Sequence, residues 1–484
     1  MERSYRIGAG DLFAAALLAI GTAVVVVWQN SRLAILWDLS YILENASRIA
    51  HGQVVYRDFV IPYAPLTFLT QGAIIRLFGR HYELHIAYAA AAAAMATAIT
   101  YFIVRMTGMR TLVASLLTAP LTFLGIYCIL PHPFYDPDCC LAVLVAIALL
   151  LAARQAGSPV LHLFAGAAGV APMFVKQNIG LPFLAAMIVV FLVERDAAAM
   201  AGVLSAITIA TVTIAATSGL TNYIHWTFQF AAQRRMPPLA DYFSIYNDAT
   251  LWSWVAVTCV GLLVTKWSRA GGGIVATIPW IWCAVRFFVT DDELEFEENL
   301  IRLWPLLIVL IAFVLPDDIL VASIVSAVML LHAVPYLINN NRLTYAKWSE
   351  GEIHRSSLAT LKGLSIHGQW LPDFEELIAW TDQNIPRNDA ILCLPGEDLF
   401  YFTTGRSPQT PVVMFDRTIN PYDSKTIASW NVKWVIVKRR LQVNGAPMQN
   451  ENELLRMMQP RMHVVARLRN YDVYSLSTGT SIKS

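Results

Sequence analysis

The chain has 484 residues, of which 56% are hydrophobic and only 14% are charged. Soluble domains carry about 25% charged residues, so this composition excludes an ordinary soluble protein and indicates a membrane protein. The formal net charge of +1 gives no reason to expect a nucleic acid or an acidic polymer as a partner. The six cysteines stand at no metal-ligand spacing and imply neither a disulfide framework nor a zinc site.

Many apolar runs are long enough, or nearly long enough, to cross a hydrocarbon core about 30 Å thick. The first run follows a basic N-terminus and lacks a small-residue cleavage site, so we expect it to be retained as a span. The runs predict about eleven transmembrane helices. They lie at 11–29, 83–104, 111–129, 139–153, 158–175, 179–193, 198–217, 250–265, 271–289, 301–315 and 318–338.

Basic residues are concentrated in alternate connections between the predicted spans, together with the basic N-terminus. These connections contain Arg105, Arg110, Arg154, Arg195, Lys266 and Arg269. The positive-inside rule assigns them to the cytoplasmic side. The opposite connections contain Asp38, Asp58, Asp136, Asp138 and an acidic run at 291–298. An odd number of spans then places residues 340–484 outside the cytoplasm.

The chain divides into two predicted domains. Residues 1–338 form a transmembrane domain, whose first extracytoplasmic loop, about 30–82, contains two amphipathic stretches that we expect to lie at the membrane surface as helices. Residues 339–484 are richer in charge and alternate short β-type runs with helical segments, which predicts a small extracytoplasmic α/β domain. The β-type runs are 390–394, 411–415, 433–437, 463–468 and 473–476.

Carboxylates on the predicted outer side are the first functional candidates. Asp38 follows the first span closely, and a carboxylate beside a bilayer is costly unless it faces water or a partner. A solvated interfacial residue or a helix N-cap are the structural alternatives for Asp38. Asp136 and Asp138 lie in the proline-containing segment 132–138, where they could orient an acceptor or bind a divalent cation together with Asp38. The structural alternative is a loop whose Asp138 caps the next helix.

Cationic residues on the same side are candidates for binding a phosphate group. Lys176 stands at the outer end of a predicted span, against the positive-inside tendency, and a lipid phosphate would explain it. Snorkelling of its ammonium to the headgroups is the alternative. Arg234 and Arg235 have planar guanidinium groups suited to phosphate oxygens, or form a solvated loop pair. Arg302 follows two glutamates, so it could bind phosphate or form an ion pair.

The first loop resembles the first extracytoplasmic loop of GT-C membrane glycosyltransferases. It has an acidic residue after the first span, then a surface helix, and then the segment HGQVVYRDFVIPYAPLTFLTQGAIIRLFG at 51–79. The most similar branch is the bacterial family 39 group, related to protein O-mannosyltransferases and aminoarabinose transferases. The similarity extends over nearly the whole chain, including YFTTGRSPQTP at 401–411.

The resemblance implies a polytopic GT-C fold, a polyprenyl-phosphate sugar as donor, membrane lipids as surroundings and a bacterial inner-membrane location. It also implies a catalytic aspartate in the first loop, which is Asp38 here. Many members have an Asp-Glu pair at this point, whereas Leu39 follows Asp38 in this chain. The departure leaves open whether a second carboxylate, or a Mg or Mn ion at Asp38 and Asp136, assists the reaction.

The predicted function is an inverting transfer of a sugar from a polyprenyl-phosphate donor to a glycan, lipid or protein acceptor outside the cytoplasm. Asp38 would act as general base on the acceptor hydroxyl, and Asp136 would assist. Lys176, with Arg234, Arg235 or Arg302, would hold the leaving phosphate. The segment Tyr56, Arg57 and Asp58 would contribute to acceptor binding or would form a turn between the two surface helices.

Two other functions fit part of the pattern. A transporter or flippase of lipid-linked intermediates predicts charged or broken helices in the middle of the bilayer. The predicted spans are almost free of such charges, and the acidic residues cluster at one face. A non-catalytic envelope scaffold predicts that Asp38→Asn would be harmless.

Overall fold

The computed structural model of the chain describes residues 7–128, 130–231, 304–338, 351–415, 419–442 and 451–477. The predicted spans at 250–265 and 271–289 and the acidic loop lie outside these ranges. So do Arg234, Arg235 and Arg302.

Helices occupy the other predicted spans, and two further helices lie in the first loop. They are α1 (Ala9–Asn30), α2 (Leu36–Ala50), α3 (Leu66–Phe78), α4 (Tyr82–Met106), α5 (Thr111–Thr118), α6 (Leu121–Leu124), α7 (Tyr135–Ala156), α8 (Pro159–Val175), α9 (Gln177–Glu194), α10 (Ala197–Thr217), α11 (Leu220–Ile224), α12 (Trp304–Val314) and α13 (Ile319–Ile338). A π-helix, His225–Phe230, continues α11. Among the described helices, α1, α4, α7, α9 and α10 are long and apolar enough to cross a membrane. The chain is a polytopic membrane protein, and the number of about eleven spans stays a prediction.

Local sequence signals set the boundaries and the packing of these helices. Gly157 ends α7 at a φ of 57°, in the left-handed region that glycine adopts without strain. Ser158 then caps α8 by accepting a hydrogen bond from the Leu161 N–H. Where α8 crosses α10, a Cβ on Gly166 or Gly202 would stand about 2 Å from backbone atoms of the other helix. Glycine at these positions therefore permits the close crossing.

One end of the bundle is held together by ion pairs between neighbouring helices. The pairs are Arg105 with Asp11, Arg110 with Asp317, and Arg154 with Glu194. These arginines belong to the connections predicted to be cytoplasmic. The expectation that acidic residues cluster at the opposite face is therefore wrong in part, because acidic partners neutralise the basic residues here.

The C-terminal region, of which the structure describes residues 351–415, 419–442 and 451–477, forms two sheets and several helices. β1 (Ile353–Arg355) and β2 (Ser365–His367) make an antiparallel pair. β3 (Ile391–Leu394), β4 (Trp434–Lys438), β5 (Met462–Arg467) and β6 (Tyr471–Leu476) form a mixed sheet in the order β3-β4-β6-β5, with β3 and β4 parallel. The helices are α14 (Trp370–Asn384), α15 (Phe400–Thr404), α16 (Ser424–Ala428) and α17 (Glu451–Met458).

The strand predicted at 411–415 is absent from this part of the structure. The Pro411 carbonyl accepts the Val60 N–H of the first loop, at 3.1 Å, and the Phe415 N–H donates to the Pro395 carbonyl, at 2.9 Å. The backbone of this segment therefore bonds to other loops and not to a neighbouring strand. The bond between Pro411 and Val60 joins this segment to the first loop.

Helix α2 of the first loop is buried on its polar side as well as on its apolar side. Its buried polar residues are Ser40, Glu44, Asn45, Ser47 and Arg48, each no more than 2% exposed. We expected a surface helix with its polar face toward water. The C-terminal region covers that face instead, so the charges of α2 must be satisfied within the protein.

Two ionisable side chains of α2 bond to the C-terminal region. The Glu44 carboxylate accepts the backbone N–H groups of Tyr401 and Phe402, each at 3.1 Å. The Arg48 guanidinium donates to the Thr410 carbonyl. A buried charge without such partners would cost several kcal/mol, about 3–5 kcal/mol when one partner is removed. These contacts fix the C-terminal region against α2.

The Glu44 contact predicts a pH dependence of stability. Burial raises the pKa of the Glu44 carboxyl from 4.5 to about 8, although two N–H groups and Arg48 act in the other direction. Between these values the folded chain holds a proton that the unfolded chain has lost, so the free energy of unfolding falls as pH rises. We expect Glu44→Gln to lack this pH-dependent loss of stability. In detergent, the melting temperature of Glu44→Gln minus that of wild type should increase by at least about 2 °C as the pH rises from about 5 to about 8.

Glu453→Gln is the matched control, because Glu453 is exposed on α17. Its melting temperature should follow that of wild type at every pH. A constant difference between Glu44→Gln and wild type across this pH range would contradict the assignment.

Candidate functional site

The N-terminal end of α7 carries a buried ion pair. Asp136 is the second residue of α7, and Lys176 is the single residue between α8 and α9, in an extended conformation. The two residues are 4% and 7% exposed, and the Lys176 ammonium pairs with the Asp136 carboxylate. The same ammonium lies 5.2 Å from the centroid of the Tyr135 ring. The structure thus gives Lys176 a partner within the protein.

Asp38 belongs to the same cluster. It lies in the first turn of α2 and is partly exposed. Both Asp38 and Asp136 are close enough to the Tyr135 side chain to interact with it electrostatically. The residues predicted to be catalytic, Asp38 and Asp136, therefore lie in the neighbourhood of Tyr135, as Lys176 does. We call these four residues the Tyr135 cluster.

The sequence analysis did not single out Tyr135, nor two further tyrosines that extend from it. Tyr135 stacks on Tyr63, with ring centroids 4.4 Å apart and planes at 22°. Tyr63 in turn meets the edge of Tyr41, with centroids 5.7 Å apart. Tyr41 follows Asp38 by nearly one helical turn, so both are on the same side of α2. The signal available in the sequence was the position of Tyr135 directly before Asp136.

Tyr56 contacts Tyr63, the residue that stacks on Tyr135. Its hydroxyl donates to the Tyr63 carbonyl at 2.6 Å, and its ring meets the edge of Tyr223. Its φ of 66° is in the left-handed region, which costs a tyrosine about 1 kcal/mol or more. Tyr56 therefore holds the backbone of Tyr63.

Gln177 fastens the same part of the first loop to α9. Its side chain accepts the Ala64 N–H at 3.2 Å and donates to the carbonyls of Pro62 and Thr227, at 3.1 and 3.0 Å. Gln177 thus bonds to the residues directly before and after Tyr63, Pro62 and Ala64. Gln177 thus holds Tyr63 where it can stack on Tyr135.

Arg57 and Asp58 form a turn at the surface. Their side chains pair at 2.9 Å and are 54% and 34% exposed. Asp58 also accepts the Val54 N–H at 2.7 Å. The hydrogen bond from Arg57 and the bond from Val54 lower the pKa of the Asp58 carboxyl. These contacts favour the turn over acceptor binding for this pair.

Asp138 is engaged by three hydroxyl groups of the protein. It accepts hydrogen bonds from Thr67, Tyr88 and Tyr127 at 2.7, 2.8 and 2.5 Å. The N-cap position of α7 is Phe134, so the interpretation of Asp138 as a helix cap is wrong. Its side chain turns instead to α3, α4 and the loop before α7, and this favours a structural role.

The residues around Asp38 and Asp136 make a poor divalent-cation site on their own. Within the described ranges, no group of three or more His, Cys, Asp or Glu side chains could hold a metal ion. The Asp136 carboxylate is paired with the Lys176 ammonium, which already supplies a positive charge. A metal at Asp38 and Asp136 stays a prediction, and we assign no step to it.

Comparisons with known proteins identify the fold. ArnT from Cupriavidus metallidurans, in a crystal structure bound to undecaprenyl phosphate, is similar with a TM-score of 0.55 and 12% identity, over 96% of this chain and 98% of that one. The apo crystal structure of the same ArnT gives a TM-score of 0.52 and 12% identity, over 96% and 97%. No protein-family profile matches the chain, and no curated protein matches it. The chain has the fold of ArnT, which confirms the GT-C fold expected from the sequence.

The buried pair of Asp136 and Lys176 predicts that replacing both residues restores part of the stability that replacing either one removes. Asp136→Asn leaves the Lys176 ammonium buried without its counter-charge, and Lys176→Met does the reverse, so each should destabilise by about 3–5 kcal/mol. We expect the double variant to melt at a higher temperature than either single variant in detergent.

Arg57→Met is the matched control on an exposed ion pair and should cost no more than about 1 kcal/mol. A double variant as unstable as the sum of the two single losses would show that Asp136 and Lys176 do not compensate each other.

Proposed function

We propose that the chain is a membrane glycosyltransferase that moves a sugar from a polyprenyl-phosphate donor to a hydroxyl of a glycan, lipid or protein acceptor. The observation that carries the proposal is the meeting of Asp38, Asp136 and Lys176 around Tyr135 at one end of a helix bundle. The fold of ArnT, which binds undecaprenyl phosphate in its crystal structure, supports a lipid phosphate as the ligand.

The location is part of the proposal. The Tyr135 cluster and the C-terminal region lie at the end of the bundle opposite the Asp11–Arg105 pair. We assign this end to the extracytoplasmic face of a bacterial inner membrane, with the N-terminus in the cytoplasm, because the basic connections lie at the other end.

Asp38 acts as general base in this proposal. Its carboxylate is partly exposed, in contrast with the buried Asp136 and Asp138. An acceptor hydroxyl that approaches Asp38 gives up its proton as its oxygen bonds to the anomeric carbon. The bond from that carbon to the phosphate oxygen breaks at the opposite side of the ring, so the anomeric configuration inverts. The polyprenyl phosphate leaves with the electron pair.

Lys176 stabilises the charge that develops on the departing phosphate. A buried ammonium acts on such a charge with little competition from water. Asp136 holds the ammonium in place and sets its orientation. Arg234, Arg235 and Arg302 remain candidates for further phosphate contacts, and they lie outside the described residues.

Loss of the Asp38 carboxylate tests the base. We expect Asp38→Asn to reduce transfer of radiolabelled sugar from a panel of polyprenyl-phosphate sugars by at least about a hundredfold, because the amide cannot take the proton. The purified protein in detergent or liposomes should keep its size-exclusion profile.

Asp58→Asn, in the same loop but in an exposed pair with Arg57, is the matched control and should transfer at nearly the wild-type rate. Equal turnover by Asp38→Asn and wild type would move the base to another residue. Absence of both transfer and donor binding by wild type would refute the enzyme.

Loss of the Lys176 charge tests the phosphate contact. A charge-assisted hydrogen bond contributes about 1.5–3 kcal/mol, so Lys176→Gln should raise the Kd for polyprenyl phosphate at least about tenfold. Asp38→Asn should leave this Kd within about twofold of wild type. Lys362→Gln removes an exposed lysine of the C-terminal region and serves as control. An unchanged Kd in Lys176→Gln would place the phosphate elsewhere.

A further inference from the structure

The start of α2 is held by one side chain from the far end of the chain. The Gln442 amide accepts the Leu36 N–H at 2.7 Å and donates to the Ala34 carbonyl at 2.9 Å. Leu36 and Ala34 are fully buried. The first N–H groups of a helix have no partner within the helix. Gln442 therefore supplies what the backbone of α2 lacks at its first residue.

Gln442 is itself held by a buried charge network. Its backbone N–H donates to the Glu397 carboxylate at 2.9 Å. Glu397 pairs with the Lys438 ammonium, which also donates to Asp398 at 2.7 Å. Glu397 and Lys438 are 0% and 4% exposed. The buried network therefore fixes the backbone of Gln442, from which the side-chain amide reaches α2.

A second contact from the same region lies on the next turn of α2. The Ser40 hydroxyl donates to the Gly396 carbonyl at 3.2 Å. Asp38 is located between these two contacts, two residues after Leu36 and two before Ser40. The backbone that carries the Asp38 carboxylate is therefore fixed on both sides by the C-terminal region.

We propose that Gln442 is a positioning residue for Asp38, holding the first turn of α2 so that the carboxylate meets the acceptor hydroxyl. The inference rests on the proposed function. Gln442 acts through the backbone of α2, by its bonds to Leu36 and Ala34. Its loss should therefore affect the chemical step and spare donor binding, because a displacement of about 1 Å at a reacting group can cost up to a hundredfold in rate.

The test compares Gln442→Met with wild type in the full-length protein. Methionine keeps the length of the side chain and removes both hydrogen bonds. We expect kcat for sugar transfer to fall at least about tenfold, while the Kd for polyprenyl phosphate stays within about twofold of wild type. Gln409→Met is the matched control, because Gln409 is exposed in the same region and donates to the Asn388 carbonyl, away from α2. It should keep the wild-type kcat.

Gln442→Glu provides a second reading in case the methionine variant does not fold. It keeps an acceptor for the Leu36 N–H and loses the donor to Ala34. A fall in kcat smaller than that of a full loss, about threefold, with an unchanged Kd, supports the proposal. A wild-type kcat in either folded variant overturns it.

The outcomes separate this inference from the proposed function. Transfer by wild type that is abolished in Asp38→Asn but unchanged in Gln442→Met refutes the positioning role alone. A parallel loss of kcat, donor affinity and melting temperature in both Gln442 variants shows a general structural role and also refutes it. Absence of transfer and donor binding in wild type refutes the proposed function itself.

Discussion

Ionisable groups buried on the polar face of α2 must be neutralised or hydrogen-bonded, and this constraint organises the packing of the first loop against the C-terminal region. Within the part of the chain that the structure describes, the Glu44 and Arg48 side chains bond to backbone groups of the C-terminal region, at Tyr401, Phe402 and Thr410. The C-terminal region therefore completes the packing of the first loop. The position of Asp38 on α2 therefore depends on contacts between two distant parts of the chain.

A second buried charge pair, Lys176 with Asp136, lies beside the stacked tyrosines. The Lys176 ammonium is neutralised by Asp136 in the structure, yet a phosphate ligand offers the same kind of contact. A pre-formed pair keeps the ammonium buried and oriented without leaving it uncompensated. The stacked rings of Tyr63 and Tyr135 beside it form a rigid surface. One end of the bundle thus combines a rigid cationic position with a more accessible carboxylate on α2.

The sequence predicted the helices well because a span must be apolar over a fixed length, and this pattern is local. It also brought forward Asp38, Asp136 and Lys176, because charged residues beside a bilayer are conspicuous. The strand expected at 411–415 was wrong, since its backbone pairs with the first loop, a partner that no local pattern reveals. The contact of Gln442 with α2 was beyond prediction for the same reason, because its bond to Leu36 joins residues separated by 406 positions.

The Glu44 contact also imposes an order on biogenesis. Its bond to Tyr401 spans 357 positions of the sequence. At a synthesis rate of about 5–20 residues per second, the ribosome needs roughly twenty seconds to a minute to make the partner of Glu44 after Glu44 itself. During that interval the chain lacks the backbone groups that bond to Glu44 and Arg48 in the folded protein. A chain truncated before Tyr401 would lack these groups permanently.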